Sequence, residues 1–134
     1  MSLMLAPGLL DKMIAHAQSA HPEEACGLLV GRGTMATRFL KARNILASET
    51  AYEMDPAFLA STFRALRESG EQLVAIIHSH PKGPAEPSTS DLERAYYPEA
   101  VHIIVSLADR AQPHTRAFRI IDGEPCEIEL HAIG

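Results

Sequence analysis

The spacing of apolar side chains along the chain predicts two main helices. In the segment 6–20, apolar residues recur every three or four positions, Pro7 suits a place in the first turn, and a His-Pro pair closes the segment. A second helix is predicted to open with Asp55 as its N-cap and Pro56 at its first position. It should end near Gly70, since glycine is common just past the last helical turn.

Six strands are predicted from apolar runs and alternating patterns. The turn at Arg32-Gly33 separates CGLLVGR from TMATRFLKARN, and these two segments should pair as a hairpin. Two almost continuous apolar runs, QLVAIIHSH and AVHIIVSL, are typical of strands that are covered on both faces. Near the end of the chain, Gly123 separates two alternating segments, HTRAFRIID and PCEIELHA, which should form an antiparallel pair.

A short third helix completes the element order. It follows a proline-rich loop, in the stretch SDLERAYY, with Ser88 or Ser90 as its cap. The order helix-strand-strand-helix-strand-helix-strand-strand-strand implies an α/β fold, with a mixed central sheet and helices packed on its faces. The chain has 134 residues and neither repeats nor linkers, so residues 1–134 are expected to form a single domain.

Composition and charge exclude several classes of protein. Hydrophobic residues make up 46% of the chain and charged residues 22%, as in a folded globule rather than a disordered or membrane chain. With a net charge of −5 and no Lys/Arg cluster, the sequence offers no surface for nucleic acid or anionic lipid. It contains neither a membrane-length apolar stretch nor a signal peptide pattern, so a cytoplasmic location is expected. Cys26 and Cys126 form no CxxC pair and are expected to be buried thiols.

The most distinctive stretch is AIIHSHPKGPAEPSTSDLERA, residues 75–95. Because side-chain direction repeats every two residues along a strand, His78 and His80 can project to the same side at the strand's end. Asp91, in the first turn of the following helix, can bring a carboxylate oxygen to the same place. Two imidazole nitrogens and one carboxylate oxygen suit a zinc ion and leave a fourth tetrahedral position open, which is typical of a catalytic site.

Other residues could complete a hydrolytic site. Zinc lowers the pKa of its bound water to about 7, so a nucleophile would be available at neutral pH. The segment HPEEACGLLVG places Glu23 and Glu24 just before an apolar strand, where a carboxylate could serve as the general base. Ser88, three residues before Asp91, could present its hydroxyl to the oxyanion that forms when water attacks a carbonyl.

Each of these features also has a simpler structural interpretation. Two histidines at the end of a strand are commonly solvated or satisfied in the core. The stretch from Ser88 to Asp91 fits a helix capping box in its own right, although a ligand at a helix start would also be well oriented. Glu23 and Glu24 could be solvated charges ahead of a strand, and the prolines of the loop could simply break the chain's regular structure.

Taken together, the order and spacing of these residues resemble a known signature. HSHP, then seven residues between His80 and Ser88, then SxxD, with ExCG opening an earlier strand, resembles the JAMM (MPN+) metallopeptidase motif ExnHxHx7SxxD at every position. The predicted element order is also similar to that family's fold, a three-layer α/β sandwich of the cytidine-deaminase-like type with a mixed central sheet flanked by helices. The resemblance covers nearly the whole chain.

The resemblance implies a role for each matching residue. His78, His80 and Asp91 would be the ligands of a Zn2+ cofactor. Glu24 would be the general base that takes a proton from the attacking water and passes it to the leaving amine, and Ser88 would stabilise the tetrahedral intermediate. Glu23 lies outside the pattern, and whether it replaces Glu24 as the base stays open.

The short chain lacks room for large insertions and is similar to stand-alone bacterial and archaeal members of the family, including the CysO-cysteine peptidase type. This implies a zinc metallopeptidase that cuts an amide or isopeptide bond beyond the C-terminal Gly-Gly of a ubiquitin-like sulfur-carrier protein. An exposed strand edge, in the segment 52–56 or the loop after it, would pair with the carrier's tail by β-augmentation. The carrier, the residue released and the oligomeric state, a homodimer included, stay open.

Two other functions compete with this hypothesis. A non-catalytic scaffold of the MPN type would use the same fold for protein contacts. Other zinc hydrolases fit less well, because the sequence contains neither HExxH nor the HxE and PCxxC motifs of cytidine deaminases. Amidohydrolase barrels also use HxH, but such barrels need roughly 250 residues to close.

Overall fold

The structure is a computed structural model that describes residues 2–134. Within this range it contains three helices, α1 (Leu9–Ala20), α2 (Pro56–Ser69) and α3 (Thr89–Glu93). The strands are β1 (Ser2–Leu5), β2 (Cys26–Arg32), β3 (Met35–Ala42), β4 (Gln72–His80), β5 (Val101–Ser106), β6 (His114–Ile121) and β7 (Glu124–Ala132). None of the helices described in residues 2–134 has the length and apolar character needed to span a membrane.

The strands form one mixed sheet that closes on itself. Their order is β1-β3-β2-β4-β5-β6-β7, and β7 pairs back onto β1. The pairs β1/β3, β1/β7 and β4/β5 are parallel, and the other neighbours are antiparallel. The predicted α/β class, with a mixed sheet flanked by helices, is confirmed. The closure through β1 is not predicted, because four residues are too few to show a period, although Leu3 and Leu5 alternate with more exposed neighbours.

Alternate residues of β2 and β4 pack on opposite sides of the sheet, and each side meets a different helix. On one side, Leu29 packs in a buried cluster with Met13 of α1. On the other, which we call the α2 side, Leu28 and Ile76 pack with Leu59 of α2. Every second residue that follows Ile76 along β4 therefore also faces the α2 side.

The ends of α2 agree with the prediction, whereas the start of α1 does not. Asp55 Oδ1 accepts a hydrogen bond of 2.9 Å from the backbone N–H two residues on, and Gly70 ends the helix with a φ of 76°. Helix α1 begins at Leu9, so the prediction that Pro7 lies in its first turn is wrong. Gly8, with a φ of 81°, provides the sharp turn from β1 into α1, and only glycine takes that conformation readily.

The predicted hairpin is present, and one of the two cysteine predictions is wrong. β2 and β3 pair around Gly33, which has a φ of 59°. Cys26 is buried, as expected, but Cys126 is exposed. Cys126 lies near the start of β7, where the strand is exposed on both faces before it reaches the buried Ile128.

Candidate metal centre

Two histidines at the end of β4 lie against each other. His78 and His80 are two residues apart and both face the α2 side, so their Nε2 atoms come within 3.1 Å. His78 is only 1% exposed, and its ring stacks on Tyr52 with the ring centroids 4.7 Å apart. Ser79, between the two histidines, points to the opposite side, as strand alternation predicts.

Asp91 completes a group of three at the start of α3. Its Oδ2 lies 3.2 Å from Nε2 of His78 and 3.0 Å from Nε2 of His80. The same Oδ2 accepts a hydrogen bond of 2.9 Å from the backbone N–H of Ser88, and Ser88 Oγ accepts one of 3.1 Å from the backbone N–H of Asp91. The Asp91 carboxylate therefore completes the capping box and also contacts both histidines. The helix-cap interpretation and the ligand interpretation of this stretch are compatible.

A hydrogen bond outside this group fixes which nitrogen of His80 carries a proton. Its Nδ1 lies 2.8 Å from the carbonyl oxygen of Pro84, and Nδ1 must be the donor because a carbonyl only accepts. In the neutral ring, Nε2 then directs a lone pair at Asp91 Oδ2, and only the protonated ring can donate a hydrogen bond to that oxygen. Burial alone would raise the pKa of Asp91, yet its hydrogen bonds to His78 and His80 hold this pKa well below its usual range. Two electron-rich atoms at this distance require a proton or a cation between them.

The three converging atoms fit a zinc ion. The sides of the triangle formed by the two Nε2 atoms and Oδ2 measure 3.0–3.2 Å. Ligand atoms at tetrahedral angles around zinc are separated by about 3.3 Å. Burial lowers the pKa of His78, which favours the neutral imidazole that metal binding requires. The residues present could therefore hold zinc and leave one tetrahedral position open.

A second carboxylate, from Glu24, reaches the same place. One of its oxygens lies within 4.8 Å of a ring nitrogen of each histidine. β2 pairs with β4 so that Cys26 lies opposite His78, and this register brings Glu24 alongside His80. Burial raises the pKa of Glu24 to about 7, and its buried Oε1 has no hydrogen-bond partner in residues 2–134. Glu23, by contrast, is exposed.

The backbone that carries Glu24 is held by polar contacts on both sides. Ser79 Oγ accepts a hydrogen bond of 2.8 Å from the backbone N–H of Ala25, and the backbone N–H of Ser79 donates to the carbonyl oxygen of Ala25 at 3.0 Å. Glu24 donates its N–H to the carbonyl oxygen of Ser48, and its own carbonyl oxygen accepts from Asn44 Nδ2. Ser79 and Asn44 thus position the acid relative to the histidines.

Replacing Asn44 by alanine should lower the free energy of unfolding by about 2–4 kcal/mol, because this buried amide makes four hydrogen bonds. The partners are the carbonyl oxygens of Glu24 and Ala51 and the backbone N–H groups of Leu46 and Glu53. Urea denaturation followed by circular dichroism measures the change. In the exposed control from the same loop, Thr50→Ala, the free energy should change by less than about 0.5 kcal/mol. An equally small effect of Asn44→Ala would contradict its anchoring role.

Ser88 borders an open trough beside the histidines. The trough has a volume of about 610 Å³, and its lining includes Glu24, His80 and most of the loop 81–87. Since Ser88 Oγ accepts the hydrogen bond from Asp91 N–H, its own hydroxyl hydrogen is available to a group that enters the trough. The structure thus places all five predicted residues, the three candidate ligands with Glu24 and Ser88, around one point.

A narrower cavity of about 340 Å³ also borders this group, through Asp91. Its apolar lining consists of Leu28, Met54, Pro56, Leu59 and Ile76. Its polar and aromatic lining consists of Tyr52, Glu53, Ser90, Asp91, Arg94, Tyr96, Tyr97 and His102. Because His80 lines the trough and Asp91 lines the cavity, a molecule bound at the metal centre can extend in both directions.

Two residues of this region are not predicted from the sequence. Tyr52 covers a face of His78, a contact that depends on tertiary packing and leaves no local signal. His102 lies on β5 opposite Ile76 and lines the cavity. Burial, together with the neighbouring His78, lowers the pKa of His102 to about 4, so it is neutral. Its position inside an otherwise apolar run was the available signal.

The fold and the site together define a class: an α/β domain with two histidines at a strand end and a carboxylate at the next helix start, arranged to hold a metal. Residues 6–121 match the family described as prokaryotic homologs of the JAB domain. The chain belongs to this family, and the predicted resemblance to JAMM/MPN+ proteins is confirmed.

Similar proteins include peptidases and a protein of known structure. A CysO-cysteine peptidase of Mycobacterium tuberculosis is 33% identical over 133 residues, which cover 98% of this chain and 91% of the relative. A desampylase of Haloferax volcanii is 34% identical over 119 residues, covering 84% of this chain and 86% of the relative. A solution structure from Desulfitobacterium hafniense matches with a TM-score of 0.86 and 33% identity, covering 99% of this chain and 93% of that one. The relatives' names support a hydrolase of the JAMM type.

Proposed function

We propose that the protein is a zinc-dependent metallopeptidase that hydrolyses an amide or isopeptide bond at the C-terminus of a ubiquitin-like protein. The observation that carries this proposal is the convergence of three atoms, Nε2 of His78, Nε2 of His80 and Oδ2 of Asp91, within 3.2 Å of one another. These atoms would hold the zinc. The remaining position would face the substrate, as in catalytic zinc sites.

The other residues supply proton transfer and charge stabilisation. Zinc, when bound, lowers the pKa of a water molecule and polarises a carbonyl group. The Glu24 carboxylate takes a proton from the attacking water and returns it to the leaving nitrogen, a task that suits a group whose pKa burial raises to about 7. The Ser88 hydroxyl donates a hydrogen bond to the carbonyl oxygen as negative charge develops there. Tyr52 covers one face of the His78 ring and excludes water from it.

An unpaired stretch of backbone beside the centre supports binding of an extended tail. The N–H of Glu53 donates to Asn44 Oδ1 and its carbonyl oxygen accepts from the N–H of Ile45, so both groups of Glu53 face the 44–45 segment. The N–H and C=O groups of Tyr52 and Met54 make no hydrogen bond within residues 2–134. Since these groups alternate with those of Glu53, they form a free edge to which a carrier tail can add as a strand.

The relatives support the substrate class. One is named a CysO-cysteine peptidase and another a desampylase, and both match most of this chain. A flexible tail that ends in Gly-Gly could bring its backbone close to the centre because glycine has no side chain. The sheet is closed through β7 and β1, so the free edge at 52–54 is the place where such a tail would find unpaired backbone next to the histidines.

Incubation of the zinc-loaded protein with a ubiquitin-like protein extended by one residue beyond its C-terminal Gly-Gly should shorten the substrate by that residue. Intact-mass spectrometry identifies the bond that is cut, and elemental analysis should find about one zinc per chain. Treatment with a chelator should abolish cleavage, and added zinc should restore it. A protein that binds no zinc at neutral pH, or that cleaves equally well without metal, would refute the proposal.

A further inference from the structure

Arg94 adds a positive charge to the lining of the cavity beside the metal centre. It directly follows α3 and is exposed, and it lines the cavity together with Asp91 and Tyr52. Its guanidinium makes no ion pair or hydrogen bond within residues 2–134. Glu53 also lines the cavity and is not paired with it. The cation is therefore available to an anionic group that enters the cavity.

The position of Arg94 relative to Asp91 limits which anionic group of a substrate could reach the guanidinium. The two residues are three apart along a helical turn, so they project from the same side of it. When the carbonyl group of the cleaved bond lies at the centre, the first atoms of the leaving group lie close in space to the Asp91 carboxylate. If the leaving group is a single amino acid, its α-carboxylate lies only about 4 Å from the cleaved bond. The lysine side chain of an isopeptide carries no carboxylate at that distance.

We propose that Arg94 binds the α-carboxylate of one residue released from the C-terminal side of the cleaved bond, so that the enzyme removes single residues in preference to cutting isopeptides. This rests on the proposed function. A guanidinium suits the role because it holds a carboxylate through two parallel hydrogen bonds. The apolar lining, which includes Leu28, Leu59 and Ile76, takes the uncharged side chain of the released residue.

Matched peptides that end in Gly-Gly-Leu test the proposal, one with a free C-terminal carboxylate and one with a carboxamide. The zinc-loaded wild type should cleave the carboxylate peptide with a kcat/KM about 10- to 100-fold higher, because a charge-assisted pair is lost in the amide. Arg94→Ala should cleave both peptides at the rate that the wild type shows for the amide. Arg64→Ala, which removes another exposed arginine outside both cavities, should keep the wild-type preference.

Binding provides a second measurement that does not depend on turnover. In the Glu24→Gln background, fluorescence anisotropy with labelled peptides should show tighter binding of the carboxylate form, and adding Arg94→Ala should remove the difference. Equal binding and equal cleavage of both peptides by the wild type would overturn the role of Arg94 and leave the peptidase intact. A binding preference without any cleavage would retain the carboxylate site and instead refute the proposed function.

Discussion

Replacing Glu24 by glutamine should lower kcat by about 100- to 10,000-fold while the zinc content stays at about one per chain. Glutamine keeps the shape of the side chain but cannot accept a proton from water. The carboxyl is buried, its Oε1 has no partner in residues 2–134, and burial raises its pKa to about 7, all of which suit a proton carrier. Peptide cleavage and elemental analysis of the same preparation measure the two quantities together.

The neighbouring residue provides the control for this prediction. Glu23 is exposed, so Glu23→Gln should leave both cleavage and zinc content unchanged. Loss of zinc from Glu24→Gln would show that Glu24 is a ligand, which its distance of at most 4.8 Å from the histidine nitrogens makes a real alternative. Full activity of Glu24→Gln would remove the general base from the mechanism, whereas absence of cleavage by the zinc-loaded wild type itself would favour a non-catalytic scaffold.

Replacing Asp91 by alanine should lower zinc affinity by more than about 100-fold, beyond the loss expected for a residue that only supports a ligand. Without Oδ2, only two of the three converging atoms remain, the Nε2 atoms of the two histidines. Competition with a chromogenic chelator measures the affinity, and cleavage should fall to background in the same samples. An unchanged affinity would show that Glu24, rather than Asp91, is the third ligand.

Asp91 also caps α3, so the measurement of zinc affinity needs a control that weakens the cap and leaves all three candidate ligands in place. Ser88→Ala removes the Oγ that accepts from the Asp91 N–H and leaves the carboxylate in place. This variant should keep its zinc and lose only part of its cleavage rate, since the hydrogen bond to the developing oxyanion is missing. If Ser88→Ala released zinc as completely as Asp91→Ala, the fold of α3 and not the carboxylate would explain the loss.

Much of the centre could be predicted because its parts are encoded locally. The alternation along β4 places His78 and His80 on one side, and the capping pattern of α3 fixes Asp91 at a helix start. Both depend on residues close in sequence, and both agree with the structure. The same is true of α2, whose start at Asp55 and end at Gly70 follow from their own side chains.

The parts that depend on distant contacts could not be predicted in the same way. Glu24 reaches the centre through the β2/β4 register and through Asn44, which lies 20 residues further along the chain. Tyr52 lies on His78 because of the path of the 44–54 segment, and the sequence gives no sign of that stacking. The closing strand β1 is stabilised by pairing with β3 and β7, not by a pattern of its own.

The alternation of side-chain direction around Ser79 limits which insertions and deletions the end of β4 can accept. Both faces of the end of β4 contribute to the centre. His78 and His80 point to one side, whereas the hydroxyl of Ser79 points to the other and binds the backbone next to Glu24. A single-residue insertion or deletion within the end of β4 would exchange those directions and separate the acid from the imidazoles. Length variation among homologues should therefore collect in the segment 45–51, whereas the stretch from His78 to His80 should keep its length.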